Sequence, residues 1–561
     1  VALVALCSIL VLFVGYRFYS RFLVRQYNLD DARTTPAVER NDGVDYVPTP
    51  RFYLFGQHFS AIAAAGPIAG PIMACLSFGW LPCLIWIGLG VIFIGAVHDF
   101  SSLIASVRHG GASVAELIRA HVGRKAWLAI LLFIWLALIY VLVAFADITA
   151  NTFVGKTEEL AGGDFRFNPG GAVALSSVLY LGLSVLMGLI QRRYAPKLWI
   201  LTAVFVPATL LVVWFGTQHS TLLVLGSRTW GVVIMGYCFV AALLPVWLLL
   251  QPRGYLGSFV LYVALGVGVF GIFFGNLPIA QPAFKSWTGP KLTDSLFPFL
   301  FVTIACGACS GFHGLVCSGT TSKQISKESH CQSVGYGAML LEAFVAVIAL
   351  ATVMFVPPEA VAGRGPGRIY GDGLGHFLTT LIGEEHRTFA VTFGAMAFST
   401  FIFDTIDVAT RLGRYILQEL FGTTGLGGSM LATFATVIVP ATLLLISGPQ
   451  VPGQPPTYML FWTLFGTANQ LLAALTLMGI TVWLYREKRR IWFTLAPCAF
   501  VTAVTVWSLF LQIRAALRAP LGVNTSSLNA LVGVLLLVLA VYLAVQCAQS
   551  IKEARTAAPA E

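Results

Sequence analysis

Apolar residues run along this chain in long unbroken blocks, and the short stretches between them carry most of the charge. Ala126 to Phe145 and Leu528 to Val545 are typical blocks. Each approaches the roughly 20 apolar residues that an α-helix needs to cross a bilayer. By that criterion the pattern predicts about 15 spans, over 1–22, 58–77, 80–105, 126–154, 171–190, 197–217, 230–250, 256–275, 294–316, 334–356, 388–408, 430–447, 457–484, 491–512 and 528–548. The apolar start at Val1 reads as a first span rather than a cleaved leader. Barrel strands would alternate over about 10 residues, and these blocks do not. The predicted class is an all-α integral membrane protein. Two segments fit less simply: 58–77 is rich in Gly and Pro and also reads as re-entrant, and 371–383 reads as loop or interfacial helix.

Composition agrees. Hydrophobic residues make up 57% and charged ones 10%, against about 25% charged in a soluble domain. The formal charge of +10 would suit a nucleic-acid partner if it were clustered. Instead it is spread over alternate loops: Arg17/Arg21/Arg25, Arg108/Arg119/Arg124/Lys125, Arg192/Arg193/Lys197, Arg253, Lys323/Lys327, Arg411/Arg414 and Arg486/Lys488/Arg489/Arg490. Intervening loops are mixed or acidic, as at Glu158, Glu159 and Asp164. Basic loops belong in the cytoplasm, which puts the N-terminus outside and the C-terminus inside. The longest pieces outside the spans, 25–57 and 357–387, are too short for a soluble catalytic domain. Most of the ten cysteines fall within spans, so no disulfide framework is expected.

Candidate chemistry lies where the helices are interrupted. The first interruption, His58 to Pro71, contains Gly66-Pro67 and Gly70-Pro71. Proline removes backbone donors and leaves carbonyls free, which a membrane tolerates only against protein or a wet cavity. Gly66–Pro71 is therefore expected to lack continuous helical bonding, as in the discontinuous helices that form many transporter sites. A second interruption follows Asp294, with Cys306-Gly307-Ala308-Cys309-Ser310-Gly311-Phe312-His313 and then Gly319-Thr320-Thr321. Cys306, Cys309 and His313 have a spacing that a soft metal could use; small packing residues beside a core histidine are the simpler reading, and no metal or cofactor is predicted. A third interruption is Leu244-Pro245-Val246-Trp247, ending in Gln251-Pro252-Arg253. A fourth, Phe465 to Gln470, sets Asn469 and Gln470 inside a span, where amides more often link helices than touch substrate.

An ionisable residue within a span is a functional hypothesis by default. The candidates are His98 and Asp99, Asp147, Glu342, and Asp404 with Asp407. Glu342 stands about eight residues into its span, near 12 Å deep at about 1.5 Å per residue. Asp407 and Arg411 are four apart and suggest an ion pair on one helix face; Asp404 has no such partner. No Gly-x-x-x-x-Gly-Lys-Ser/Thr loop for ATP is present, so energy must come from a gradient or another subunit. An enzyme would need a nucleophile and a base. His98 and Asp99 are the only adjacent candidates, and consecutive helix residues point about 100° apart.

At these interruptions the chain resembles the carbon starvation protein A family. The matching stretches are His58–Pro71, Gly95–Phe100, Leu244–Arg253, Leu296–Lys323, Gly335–Glu342, Asp404–Gly413 and Phe465–Ala473. The resemblance implies an inner-membrane transporter induced on nutrient shortage, some members taking up peptides and others pyruvate. It also implies a core of two five-helix inverted repeats around discontinuous helices, with flanking spans. This chain departs from the family pattern in lacking a second His before His58, in His98 where Gln is common, and in Gly254 where Asp is common.

The resulting expectation is a first span and loop over 1–57, a transporter core over 58–411 and flanking helices over 412–561. Counting five spans from 58–77 favours 230–250 as its inverted partner, while the Gly and His content of 294–316 argues for that span. Substrate-binding candidates are His58, Gly66, Gly70, Ser310, His313, Thr320 and Asn469; ion- or proton-coupling candidates are Glu342, Asp99 and Asp404. The partners implied are the bilayer, protons or cations, and a small peptide, with pyruvate or a non-transporting nutrient sensor as alternatives.

Overall fold

The computed structural model describes residues 1–43, 46–159, 166–288, 295–423, 425–446, 457–518 and 525–556. Asp164 and Asp294 lie outside these. Among the described residues the fold is helical apart from a two-residue ladder, Glu158–Glu159 against Arg166–Phe167, and a bridge between Thr49 and Ile325. Twelve helices are long and apolar enough to cross a membrane, or thirteen if the bent pair Arg51–Ile62 and Gly66–Phe78 is one span. The chain is a multi-pass membrane protein. The expected fifteen is not reached on this measure, because two expected spans are short or divided: Ser227–Leu243 has 17 residues, and 294–316 splits into Leu296–Thr303 and Gly311–Gly319.

Helices of alternating direction sort the loops onto two faces. On one, the Val1 ammonium donates to the Leu277 carbonyl. On the other, Arg108 and Arg489 converge on the Tyr27 carbonyl. Burial separates centre from rim. The most apolar stretches of Phe461–Arg486, Glu384–Phe421 and Gln332–Met354 are 94%, 89% and 83% buried, against 17–22% for Ala2–Tyr27, Leu198–Gln218 and Ser527–Thr556. The buried polar side chains described below accordingly lie away from the rim helices.

The region 371–383 belongs to a helix, Pro366–Ile382. Its Gly367, Gly371 and Gly375 lie against Phe398, Ala395 and Val391 of Arg387–Phe421, so the two helices form a close antiparallel hairpin turned at Gly383, whose φ is 94°. Because Gly373 meets Thr352 and Phe377 meets Gly271, the hairpin packs over the Val1 face.

The bent pair corrects one expectation. Gly66–Pro71 is helical; the break falls just before it, at Ala63–Ala65, where the two helices diverge by 47°. Pro67 sits in the first turn of the second helix, where its missing N–H costs nothing. The helix crossing this break is 296–319, not 230–250. Gly70 lies where a side chain would strike the Thr303 carbonyl, and Gly66 where it would strike Cys306. The second break, Ile304–Ser310, thus faces the first. Six span-like helices, Ser227–Leu243 included, lie between the two in sequence.

Candidate functional site

Beside the two breaks, a line of titratable side chains joins three helical elements. His98 and Asp99 come from Ala96–Arg108, His313 from the second half of the broken helix, and Glu342 from Ala338–Met354. All four are buried. His98 Nδ1 lies 2.7 Å from Asp99 Oδ1, His313 Nδ1 lies 2.9 Å from Asp99 Oδ2, and His313 Nε2 lies 3.3 Å from Glu342 Oε2. The last is an ion-pair distance without hydrogen-bond alignment, and neither Glu342 oxygen has a hydrogen-bond partner among the described residues.

This geometry limits where protons sit. An ionised Asp99 only accepts, so both facing Nδ1 atoms carry hydrogen. His313 Nε2 and Glu342 Oε2 thus stand within ion-pair range, with no hydrogen bond formed between them. The sequence geometry that set His98 and Asp99 about 100° apart did not anticipate their side chains folding back into contact.

Local backbone irregularity aims both acids. A π-turn at Val91–Gly95 precedes Asp99 and another at Gln332–Gly337 precedes Glu342. Such turns shift the register of everything beyond them and recur at functional sites. Gly95 gives room to the Ala308 carbonyl in the second break, and Gly335 packs on Phe100.

The other candidates distribute unevenly. His58 reaches the site from the first half of the bent pair: its Nδ1 lies 2.9 Å from Thr321 Oγ1 and its Nε2 3.9 Å from Cys317 Sγ. Thr320 instead bonds to Val316 in its own helix. Ser310 and His313 line the second break. Asn469 crosses from Thr457–Arg486 to cap it: its Oδ1 accepts from the Phe312 N–H at 3.0 Å, and its Nδ2 donates to Ser310 Oγ at 3.0 Å. Gln470 donates to the Phe301 carbonyl at 2.9 Å. Gly66 and Gly70 serve the close crossing of the two broken helices. Among the described residues no group of three or more His, Cys, Asp or Glu could hold a metal.

Asp404 does not join this line. It belongs to a second buried cluster, where Arg253 Nε donates to Asp404 Oδ1 at 2.8 Å and Arg253 Nη1 bonds both Asp407 and the Tyr237 hydroxyl. Tyr237 donates to Asp407 at 2.7 Å, and Tyr180 to the Arg253 carbonyl at 2.8 Å. The expected Asp407–Arg411 pair is absent. Arg411 reaches past the end of Ser227–Leu243 to the carbonyls of Ala241 and Leu244, each at 2.6 Å. There it supplies donors to a helix end interrupted by Pro245. Gly254 opens onto free space.

Thr321, Cys317, Tyr237, Tyr180 and Arg253 escaped the sequence reading as site members. Arg253 was counted among loop charges, although it lies only three residues inside the helix Leu250–Phe274. An arginine directly after Pro252 at a span entrance, with two aspartates stranded elsewhere, was the available signal. Tyrosines give none, because their hydroxyls find partners only in three dimensions.

Two broken helices crossed at their breaks, beside a buried chain of histidines and carboxylates, are the construction of a secondary transporter. The chain belongs to the carbon starvation protein CstA family, whose model matches residues 1–363 and 358–508. It is 33% identical to a peptide transporter CstA of Bacillus subtilis, covering 96% of this chain and 94% of that protein. It is 32% identical to a peptide transporter CstA of Helicobacter pylori (89% and 80% covered) and 31% identical to the pyruvate/proton symporter BtsT of Escherichia coli (91% and 81%). In fold it is similar to a manganese transporter of Eremococcus coleocola solved with an aromatic bis-isothiourea compound, with a TM-score of 0.50 at 14% identity over 91% of this chain and 98% of that one.

Proposed function

We propose that this protein is a proton-coupled secondary transporter that takes up small peptides across the bacterial inner membrane during carbon starvation, with its N-terminus outside and C-terminus in the cytoplasm. The observation that carries this reading is the His98–Asp99–His313–Glu342 line beside two facing helix breaks. The breaks bring side chains and backbone of four helical elements together around one point, and the line offers a place to load and release a proton. His58, Gly66, Gly70, Ser310, His313, Thr320 and Asn469 form the proposed substrate region. Glu342 and Asp99 form the coupling pair, and Asp404 acts through Arg253. The transporting core is then 58–411 joined by Thr457–Arg486, because Asn469 caps the second break. No catalytic step is placed on the site.

A second reading has a specific basis. One relative of comparable identity is a pyruvate/proton symporter, and the N-terminus of Gly311–Gly319 suits a carboxylate, which peptides and pyruvate share. Buried acids favour the peptide, whose ammonium needs an anionic partner. Proteoliposomes with an alkaline interior, given labelled dipeptide or labelled pyruvate, decide the matter. Dipeptide accumulation collapsed by a protonophore is expected. Pyruvate accumulation alone would shift the assignment to the second reading, and no uptake of either would leave a sensor.

A further inference from the structure

Away from the transport site, a cleft of about 480 Å³ opens among the last three helices, lined by Met478, Leu495, Ala499, Ala503, Trp507 and Ile551 among others. We propose that it holds one acyl chain of an anionic phospholipid, whose headgroup rests on the basic end of these helices.

Three observations bear on the occupant. The cleft runs along Trp492–Leu517 from Leu495 to Trp507, a rise of about 18 Å. That is close to one leaflet of hydrocarbon, about half of 30 Å. Most of its few polar groups are already engaged: Thr481 donates to the Leu477 carbonyl and to Thr494, and Cys498 donates to the Ala474 carbonyl, while the Thr502 hydroxyl is buried without a partner among the described residues. The wall therefore offers mainly carbon to whatever enters, which favours an acyl chain over a polar solute.

The third observation is charge. The cleft reaches the Tyr27 face at Ile551, beside which stand Lys552 and Arg555, with Lys488 and Arg490 in the loop before Trp492. All four are exposed. The link from Arg486 to Ser550 at 2.9 Å holds the two groups at one end. Of the nearby acids, Glu487 is engaged by Trp483 and Arg489, leaving Glu553 against four cations. A basic rim above a chain-shaped groove between helices selects an anionic headgroup.

The test is native mass spectrometry of the purified full-length protein titrated with dioleoyl phosphatidylglycerol or dioleoyl phosphatidylcholine. Phosphatidylglycerol is expected to be retained at least about tenfold more strongly, matching about 1.4 kcal/mol. Arg490→Gln with Lys552→Gln should erase the preference, and Ala503→Trp, filling the cleft, should reduce retention of both lipids. Leu535→Trp, on a lipid-facing surface elsewhere, should change neither, and equal melting temperatures exclude misfolding as the cause. Equal retention of the two lipids, undiminished retention in Ala503→Trp, or a dimer that only Ala503→Trp dissociates would each overturn the proposal, the last by showing a second copy in the cleft.

Discussion

His313 stands between two carboxylates: its Nδ1 is 2.9 Å from Asp99 and its Nε2 is 3.3 Å from Glu342. One imidazole therefore touches both acids, and it is carried on the second, nine-residue half of a broken helix. Any rocking of that half changes both contacts together.

Asn469 fixes that half-helix from outside it, standing in for the N-cap side chain that Ser310 does not provide. Asn469→Ala removes the acceptor for the Phe312 N–H. It should cost about 1 kcal/mol of stability and lower the maximal uptake rate more than it raises the half-saturating substrate concentration. Asn469→Asp keeps the acceptor and should recover much of the stability. Melting temperature and uptake kinetics on the three proteins check this.

Arg253 is fully buried and holds two carboxylates, one of which, Asp404, is partly open with 23% of its side chain exposed, while Asp407 is at 1%. Arg253→Met would leave Asp407 without its cation, at a cost of about 3–5 kcal/mol. Adding Asp407→Asn should restore part of the loss. Thermal unfolding of the single and double variants measures it, and no recovery would mean that the arginine stabilises by packing instead.

On the Tyr27 face the connector after the first span is fastened to the segment beyond the broken helix. Arg108 forms two 3.0 Å bonds to Glu328, and Asp31 accepts from the Ser329 N–H and hydroxyl, each at 2.8 Å. Partial burial alone would raise the Asp31 carboxyl, but the Ser329 bonds, with Lys327 and His330 nearby, outweigh it and hold the group below its ordinary range. A depressed carboxylate contributes stability above its unfolded value of about 3.9, and that contribution is lost as pH falls through the lower folded value. Amide exchange at 28–34, corrected for intrinsic rate, should thus stay slow at neutral pH and rise below about pH 4. Asp31→Asn should show the faster exchange at every pH.

The proposed orientation, with the basic loops in the cytoplasm, can be tested by thiol labelling. A cysteine replacing Arg490 should resist impermeant maleimide in intact cells and react after lysis, whereas one replacing Trp287 should react in both. The reverse pattern would invert the topology.

The sequence disclosed much of this because lipid imposes simple rules. Apolar length revealed the long helices, and charge asymmetry sorted the loops, since both depend on composition over twenty residues. The breaks were legible as Gly-Pro and Gly-Ser clusters, but the first was misplaced by a few residues: a proline in a first turn reads the same as one that stops a helix, and only the folded helix distinguishes Pro67 from a breaker. Glu342, Asp99 and His313 were each conspicuous as polar residues in apolar runs. That they touch one another depends on helices far apart in sequence and on two π-turns, which have no local signature. The Asp407–Arg411 reading failed for a related reason, because a helix neighbour at four residues competes with Arg253 from a different helix, and burial favours the partner that satisfies both aspartates.

The account turns on Glu342 exchanging a proton with His313. Glu342→Gln preserves shape and hydrogen-bonding capacity but cannot titrate, so the protein should still bind substrate and exchange it across the membrane. The direct measurement is uptake into proteoliposomes with and without an inward proton gradient, alongside counterflow of labelled against unlabelled substrate. The account predicts that Glu342→Gln retains counterflow and loses gradient-driven accumulation by about 100-fold or more, the scale of removing a positioned proton carrier. Gradient-driven accumulation at the wild-type level would contradict it and leave Glu342 a packing residue.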